Sequence, residues 1–231
     1  MAQSTKSARA ALTDHLRHAI LTQVLAPGMD LDEATLSEDW QLSRTPLRDV
    51  LRQLAGEGYV QLRENRGARV SEMSHTTLRD FFLAAPMIYG AILRLAARNA
   101  TDLQVKELKE AQTRFRATLR AGDIAARALA NNRFHEVTGR MAANTYLLPS
   151  FQRLLIDHAR ISMTFFRPRD AETARTLDTA SQQHDAIIAA IEAGDEDGAA
   201  ALADAHWNLS RHNIEHFVMP AGLDVPLGTT A

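Results

Sequence analysis

Two sets of side chains in this sequence have the types and spacing to do chemistry. The first is Ser43-Arg44-Thr45-Pro46-Leu47-Arg48, which opens a helical pattern with a hydroxyl cap and two cations one turn apart. A helix that begins this way presents free N–H groups, hydroxyls and guanidinium groups together, the donors that meet phosphates and base edges in a DNA groove. The second is a set of imidazoles far along the chain. Asn131 and His135 are four residues apart and share a helix face. His184 follows 49 residues after His135, and His206 follows 22 residues after that. Each sits near an apolar stripe, beside Phe134, before Ile187-Ile188 and beside Trp207. Neutral imidazole suits zinc and other borderline divalent ions. The blander reading is that these are core or surface histidines in a chain that has nine, and His212 and His216 form another pair with the same spacing.

The first set needs a small scaffold, and residues 8–74 supply one. Leu12, Leu16, Ile20 and Val24 recur at helical spacing from about Ser7 to Leu25, and Pro27-Gly28 ends the run. A second short helix is predicted over about Glu33–Gln41, with Leu36 and Trp40 inward. Ser43 caps the third, Pro46 sits in its first turn, and Val50, Leu51 and Leu54 form its buried stripe until Gly56 and Gly58 stop it. Tyr59–Leu62 and Ala68–Val70 then alternate as two strands around Glu64-Asn65-Arg66-Gly67. This order is that of a winged helix-turn-helix. The expected DNA contacts are Ser43, Arg44, Thr45 and Arg48 on the recognition helix, with Arg66 and Gly67 at the wing tip. Six arginines between Arg44 and Arg69 stand against Asp49, Glu57 and Glu64, so the local charge is +3 although the whole chain carries −2. For a nucleic-acid partner the placement of charge matters more than its sum.

The second set needs a helical frame. From about residue 75 to 219 the pattern is a string of amphipathic helices, six or seven, arranged as an antiparallel bundle. Thr101 and Gln104 have capping-box spacing, Gly122-Asp123 and Gly194-Asp195 each join a stop to a new cap, and Pro149 and Pro168 mark boundaries. Residues 220–231 read as a loose tail. The fold class is therefore mainly α, a winged helix-turn-helix followed by an all-α bundle. The 45% hydrophobic and 23% charged content is ordinary for a globular chain, and the absence of cysteine excludes disulfides and thiol chemistry. No run of about 18 apolar residues is evident and the N-terminus lacks an apolar core, so no membrane partner is expected and the cytoplasm is the default compartment.

These residues also carry a resemblance. Pro27-Gly28, Leu36-Ser37, Ser43-Arg44-Thr45-Pro46-Leu47-Arg48, Leu51…Leu54 and Glu57-Gly58 resemble the DNA-binding segment of the GntR family of bacterial transcription factors. Asn131-Asn132-Arg133-Phe134-His135, Asn144, His184 with Ala186-Ile187 and Gly194-Asp195, and His206 resemble the FCD ligand-binding domain of its FadR-like branch. The resemblance covers about residues 8–219. It implies a divalent ion, zinc with nickel or manganese as alternatives, held by Asn131, His135, His184 and His206, and a small organic-acid effector completing its shell. Three departures stand out. Asn131 replaces an Asp found in many members, which removes a negative charge from the ion's surroundings. Tyr89 stands where an arginine often grips the effector carboxylate. Either the effector is less acidic than a simple hydroxy acid, or Arg94 or Arg140 serves instead; Tyr89, Arg94, Arg140 and Asn144 are the candidate effector contacts. Ala34 replaces an arginine present in some members, so the operator sequence is expected to differ.

The leading expectation is a ligand-responsive repressor of a catabolic operon, working as a homodimer on a palindromic double-stranded operator, because one recognition helix makes too small an interface. A metal-free sensor of the same fold is the first alternative. A metal-dependent hydrolase needs a general base near bound water. Glu136 and Asp185 adjoin His135 and His184 in sequence but point about 100° round their helices, so no enzyme is expected.

Overall fold

A computed structural model describes residues 2–64, 67–165 and 171–218, with side chains within 6–64, 67–163 and 175–209. The chain separates into two compact units, one up to Met73 and one from Ser74 onward.

The first unit contains α1 (Ala2–Leu21), β1 (Asp30–Leu31), α2 (Glu33–Asp39), α3 (Arg44–Glu57), β2 (Val60–Arg63) and β3 (Gly67–Val70). Leu12, Leu16 and Ile20 of α1 meet Leu47, Val50, Leu51 and Leu54 of α3, and Val60, Ala68 and Val70 close the core from the sheet. The strands are antiparallel in the order β1-β3-β2, with Val60 opposite Val70 and Arg63 opposite Gly67. The β1 strand was not among the elements expected from the sequence. Two residues carry no period of their own; they become a strand because Asp30 and Leu31 pair with Arg69 and Ala68. The first helix also starts earlier and ends earlier than its apolar spacing suggested, and Val24 is exposed. Asp32 caps α2 by accepting from the amides of Ala34 and Thr35. Gly58 ends α3 at φ 93°, a left-handed conformation that costs glycine nothing.

The second unit is a bundle of α4 (His75–Asn99), α5 (Asp102–Ala121), α6 (Ile124–Met141), α7 (Leu147–Phe165), α8 (Ala171–Ala193) and α9 (Glu196–Val218). The α4 helix packs on α9, α6 and α7, while α5 packs on α6 and α8. The Thr101–Gln104 capping box is formed, and Ser74 and Asp123 cap α4 and α6. Pro149 lies in the first turn of α7, where its missing N–H costs little. Pro86 sits inside α4, which continues through it. The sequence expectation that no segment is long and apolar enough to span a membrane needs correction for α4. Its 25 residues include an 18-residue window of mean hydropathy 1.4, sufficient by length and composition. That apolar character is used in packing: Phe81, Phe82, Ala85, Ile92, Leu93 and Ala96 are buried in the bundle. Pro168 and residues 220–231 lie outside the described residues, as do the side chains of His212 and His216.

A close approach of α6 and α7 turns on Gly139 of α6. A Cβ added there would meet two carbons of the Phe151 ring at 2.7 and 2.8 Å. Phe151 is fully buried on α7 and cannot swing into solvent. Gly139→Ala gains about 1 kcal/mol of helix propensity but should lose more through overpacking, about 1–3 kcal/mol. Urea unfolding of the variant is expected to show a net loss; a midpoint equal to or above wild type would mean that α6 and α7 are not held this close.

Candidate DNA interface and imidazole cluster

At the N-terminus of α3, Ser43, Arg44 and Thr45 are exposed. Ser43 occupies the cap position without using its side chain as a cap, so the hydroxyl remains available to an outside partner. Arg48 follows one turn later, its side chain 61% exposed, with Nε 3.4 Å from Glu33 of α2. Two described arginines of the wing are tied back: Arg63 and Arg69 both bond Asp30 across the sheet, and their guanidinium groups hold its carboxyl down at about 2. Much of the positive charge counted in the sequence is therefore matched by the acidic segment before α2. Gly67 takes φ 73°, and a Cβ there would lie 3.0 Å from Glu33 Oε1. Arg48, Arg63, Gly67, Glu33 and Ala34 share one open groove of about 640 Å³. Arg66 lies outside the described residues.

In the bundle, three of the sequence-predicted ligands meet. Ligand nitrogens of His135 (α6), His184 (α8) and His206 (α9) lie within 4.8 Å of one another, and all three rings are buried. Their neighbours decide which nitrogen faces inward. His184 Nδ1 is 3.0 Å from Gln112 Oε1, and His206 Nδ1 is 2.9 Å from Gln183 Oε1. An amide oxygen only accepts, so each Nδ1 carries the proton and each Nε2 keeps its lone pair. The Gln112 amide is itself held, its nitrogen donating to Ser181 O at 2.8 Å and to Asp185 Oδ1 at 3.1 Å. The Nε2 atoms of His184 and His135 are buried with no hydrogen-bond partner. Buried nitrogens left this way are costly unless something else uses them. Phe134 stacks on His184 with ring centres 3.8 Å apart and fixes its plane.

Burial pushes all of these imidazoles down: His206 to about 4, and His135 and His184 well below their ordinary value, with neighbouring histidines adding to the effect. They are neutral bases at pH 7, the form that ligates a metal. The donor set fits a borderline divalent ion such as zinc, for which N–N separations near 3.4 Å follow from ordinary bond lengths, so loading requires modest closure. Asn131, one turn before His135, is buried and lines a small cavity with His206.

The structure also brings in residues that sequence reasoning passed over. His158 of α7 is buried, its ring centre 5.0 Å from that of His135, and Tyr89 Oη lies 2.7 Å from its Nδ1. Burial lowers His158 to about 3 and raises Tyr89. Tyr89, a candidate effector contact, thus abuts the cluster. Arg94, Arg140 and Asn144 have their described partners elsewhere: Arg94 pairs with Asp197, Arg140 with Glu107, and Asn144 caps α7 through the amides of Tyr146 and Leu147. Nothing in the sequence marked His158, because a single histidine in an apolar run gives no sign of what its helix will face.

An exposed, capped, basic helix beside a wing, on a chain whose second unit is a helical bundle enclosing neutral imidazoles, defines a DNA-binding regulator with a ligand-responsive domain. Residues 8–70 match the model for bacterial regulatory proteins of the gntR family, and residues 86–209 match the FCD domain. The chain belongs to the GntR family of transcriptional regulators, in the branch that carries an FCD domain. It is 27% identical over 224 residues, 94% of this chain and 90% of the other, to a protein described as a "probable D-xylose utilization operon transcriptional repressor" of Paenarthrobacter nicotinovorans. It is 27% identical over 197 residues, 83% of this chain and 88% of the other, to the transcriptional repressor GlaR of Escherichia coli K12. Among solved structures, E. coli McbR/YncC shares the fold with a TM-score of 0.73 at 18% identity, covering 91% of this chain and 96% of that one.

Proposed function

We propose that this regulator is a homodimeric repressor of a catabolic operon that reads a palindromic operator and senses a small organic acid through a bound divalent ion, most simply zinc. Asn131, His135, His184 and His206 would hold the ion, and Ser43, Arg44, Thr45, Arg48, Arg66 and Gly67 would meet the DNA. The observation that carries the sensing half is the convergence of three neutral imidazoles, two of them held by glutamine amides so that Nε2 keeps its lone pair. A bound ion would supply positive charge to attract a carboxylate. The chain's own residues do the rest: Gln112 and Gln183 hold the tautomers, Phe134 fixes the His184 ring, and Tyr89 with His158 offers a polar edge beside His135. Repression is supported by the relatives, both described as repressors. Dimerisation is supported by the size limit of one recognition helix and by Leu83 and Met87, one turn apart on α4 and 47% and 73% exposed.

The DNA half is tested by gel shift on the region upstream of the protein's own gene. Arg44→Ala should weaken specific binding by about 1–3 kcal/mol, roughly 5- to 150-fold, and relax base preference. Arg66→Ala should weaken binding evenly across sequences and flatten the salt slope. Two variants that both bind like wild type would dismiss these residues as the DNA contact. Metal content of protein purified without chelator tests the other half, and its absence would leave a metal-free sensor.

A further inference from the structure

Resting on the DNA half of that reading, we propose that Glu33 is the positioning residue that makes Arg48 selective, turning a cation that would pair with any phosphate into a reader of a base edge. The Glu33 carboxylate meets both of the elements expected to touch DNA. Its Oε2 lies 3.4 Å from Nε of Arg48 on α3. Its Oε1 faces the first residue of β3, since a Cβ added to Gly67 would lie 3.0 Å from that oxygen and 3.5 Å from the carboxyl carbon. Glu33 also starts from a fixed point, because Asp32 beside it caps α2 through the amides of Ala34 and Thr35. Glu33, Arg48 and Gly67 share one open groove of the winged unit, with Arg52 and Arg63 on its walls. The Glu33 side chain is 25% exposed against 61% for Arg48, so the carboxylate stays on the protein side while the guanidinium reaches outward.

The edge of the guanidinium that Glu33 occupies decides what Arg48 can read. Arginine carries five N–H donors in a fixed plane. With Nε turned to Glu33, the two terminal nitrogens remain for an outside partner, and such a pair of donors matches O6 and N7 of guanine. A phosphate accepts the same pair. It brings a full negative charge up to the Glu33 carboxylate, however, whereas a guanine edge brings only partial charge. The repulsion weighs against phosphate and leaves the base contact favoured, which is selection by penalising the wrong partner. Gly67 keeps this arrangement in line. It supplies both a φ of 73° and the room that the carboxylate fills.

The test compares full-length wild type, Glu33→Ala, Glu33→Gln, Arg48→Ala and the double variant Glu33→Ala with Arg48→Ala. Each is titrated by fluorescence anisotropy, across a salt series, with a duplex that wild type selects from a random pool and with poly(dI-dC). Glu33→Ala is expected to lower the ratio of the two affinities about 5- to 50-fold, part of what a bidentate base contact supplies. It should also steepen the salt slope on poly(dI-dC) by about 0.9, one phosphate gained by the released Arg48. Glu33→Gln should fall between, since it keeps an acceptor for Nε and loses the charge. In the Arg48→Ala background, Glu33→Ala should leave the ratio where it is. An unchanged ratio in Glu33→Ala overturns the proposal, whether both affinities rise together, as a bare surface charge predicts, or fall together, as a structural role predicts. An equal fall in the ratio with and without Arg48 overturns it as well. Wild type that selects no duplex removes the DNA reading itself and the proposal with it, an outcome distinct from the others. Should circular dichroism show Glu33→Ala unfolded, Glu33→Gln decides alone: it keeps the shape of the side chain, and an unchanged ratio there overturns the proposal.

Discussion

Stripping the protein with a chelator should lower the melting temperature of its helical unit by roughly 10 °C, and adding zinc should restore it. The size of the effect follows from mass action. An ion that binds only the folded state, present at a thousand times its Kd, adds about 4 kcal/mol. For a unit of about 150–250 residues each kcal/mol moves the midpoint by about 2–4 °C. The effect should be large because the apo site is unfavourable as it stands: the Nε2 atoms of His135 and His184 are buried without partners. His184→Ala should abolish the zinc response, since it removes a proposed ligand whose tautomer is already set by Gln112. The winged unit should keep its DNA affinity in the absence of effector, because its core of Leu12, Leu16, Leu47, Leu51 and Leu54 is self-contained. Scanning calorimetry with and without zinc measures this directly. A midpoint indifferent to both chelator and zinc would mean that the three imidazoles are packing residues.

What the sequence revealed, and what it hid, follows from the range of the interactions involved. The α3 helix was legible because its signals are local: a cap residue, a proline in the first turn, an apolar stripe and a glycine exit lie within 16 residues, Ser43 to Gly58. The capping box at Thr101 and the cap at Asp123 were legible for the same reason. The β1 strand was hidden because its only cause is a partner, β3, almost forty residues away. Pro86 is a second case, since local propensity argues for a break that packing of α4 on α9 overrides. In the site, the spacing of Asn131 and His135 put both on one face, but spacing alone could not bring α8 and α9 to meet α6; the resemblance carried that step. Gln112, Gln183 and His158 had no local signature. Each matters through what stands opposite it: Gln112 faces His184 across 72 residues, and His158 faces Tyr89 across 69.

Acid should unfold the chelator-treated helical unit well above the pH at which its carboxylates titrate. Four buried imidazoles contribute. His206 titrates at about 4 and His158 at about 3 in the folded protein, and His135 and His184 lie well below their ordinary value. In the unfolded chain all four return to about 6.5. The folded values are depressed, so between about 6.5 and 4 the unfolded state binds more protons than the folded one. Stability is then complete above about pH 6.5 and falls as pH drops through that window. Each histidine contributes a slope of up to about 1.4 kcal/mol per pH unit. Four together can remove several kcal/mol between pH 7.5 and 5.5, a large part of what holds an ordinary domain. Urea midpoints read by circular dichroism at pH 7.5, 6.5 and 5.5 are the measurement. His158→Phe, which removes one titrating ring without touching the three converging nitrogens, should shallow the dependence. A midpoint that stays flat down to pH 5.5 would mean that these rings accept protons in the folded state, and so reach water. With zinc bound the same window gains a second cause, because each ligating nitrogen must lose its ion before it can take a proton. The loaded protein should therefore resist acid at first and then lose ion and fold together, over a narrower range of pH than the stripped protein.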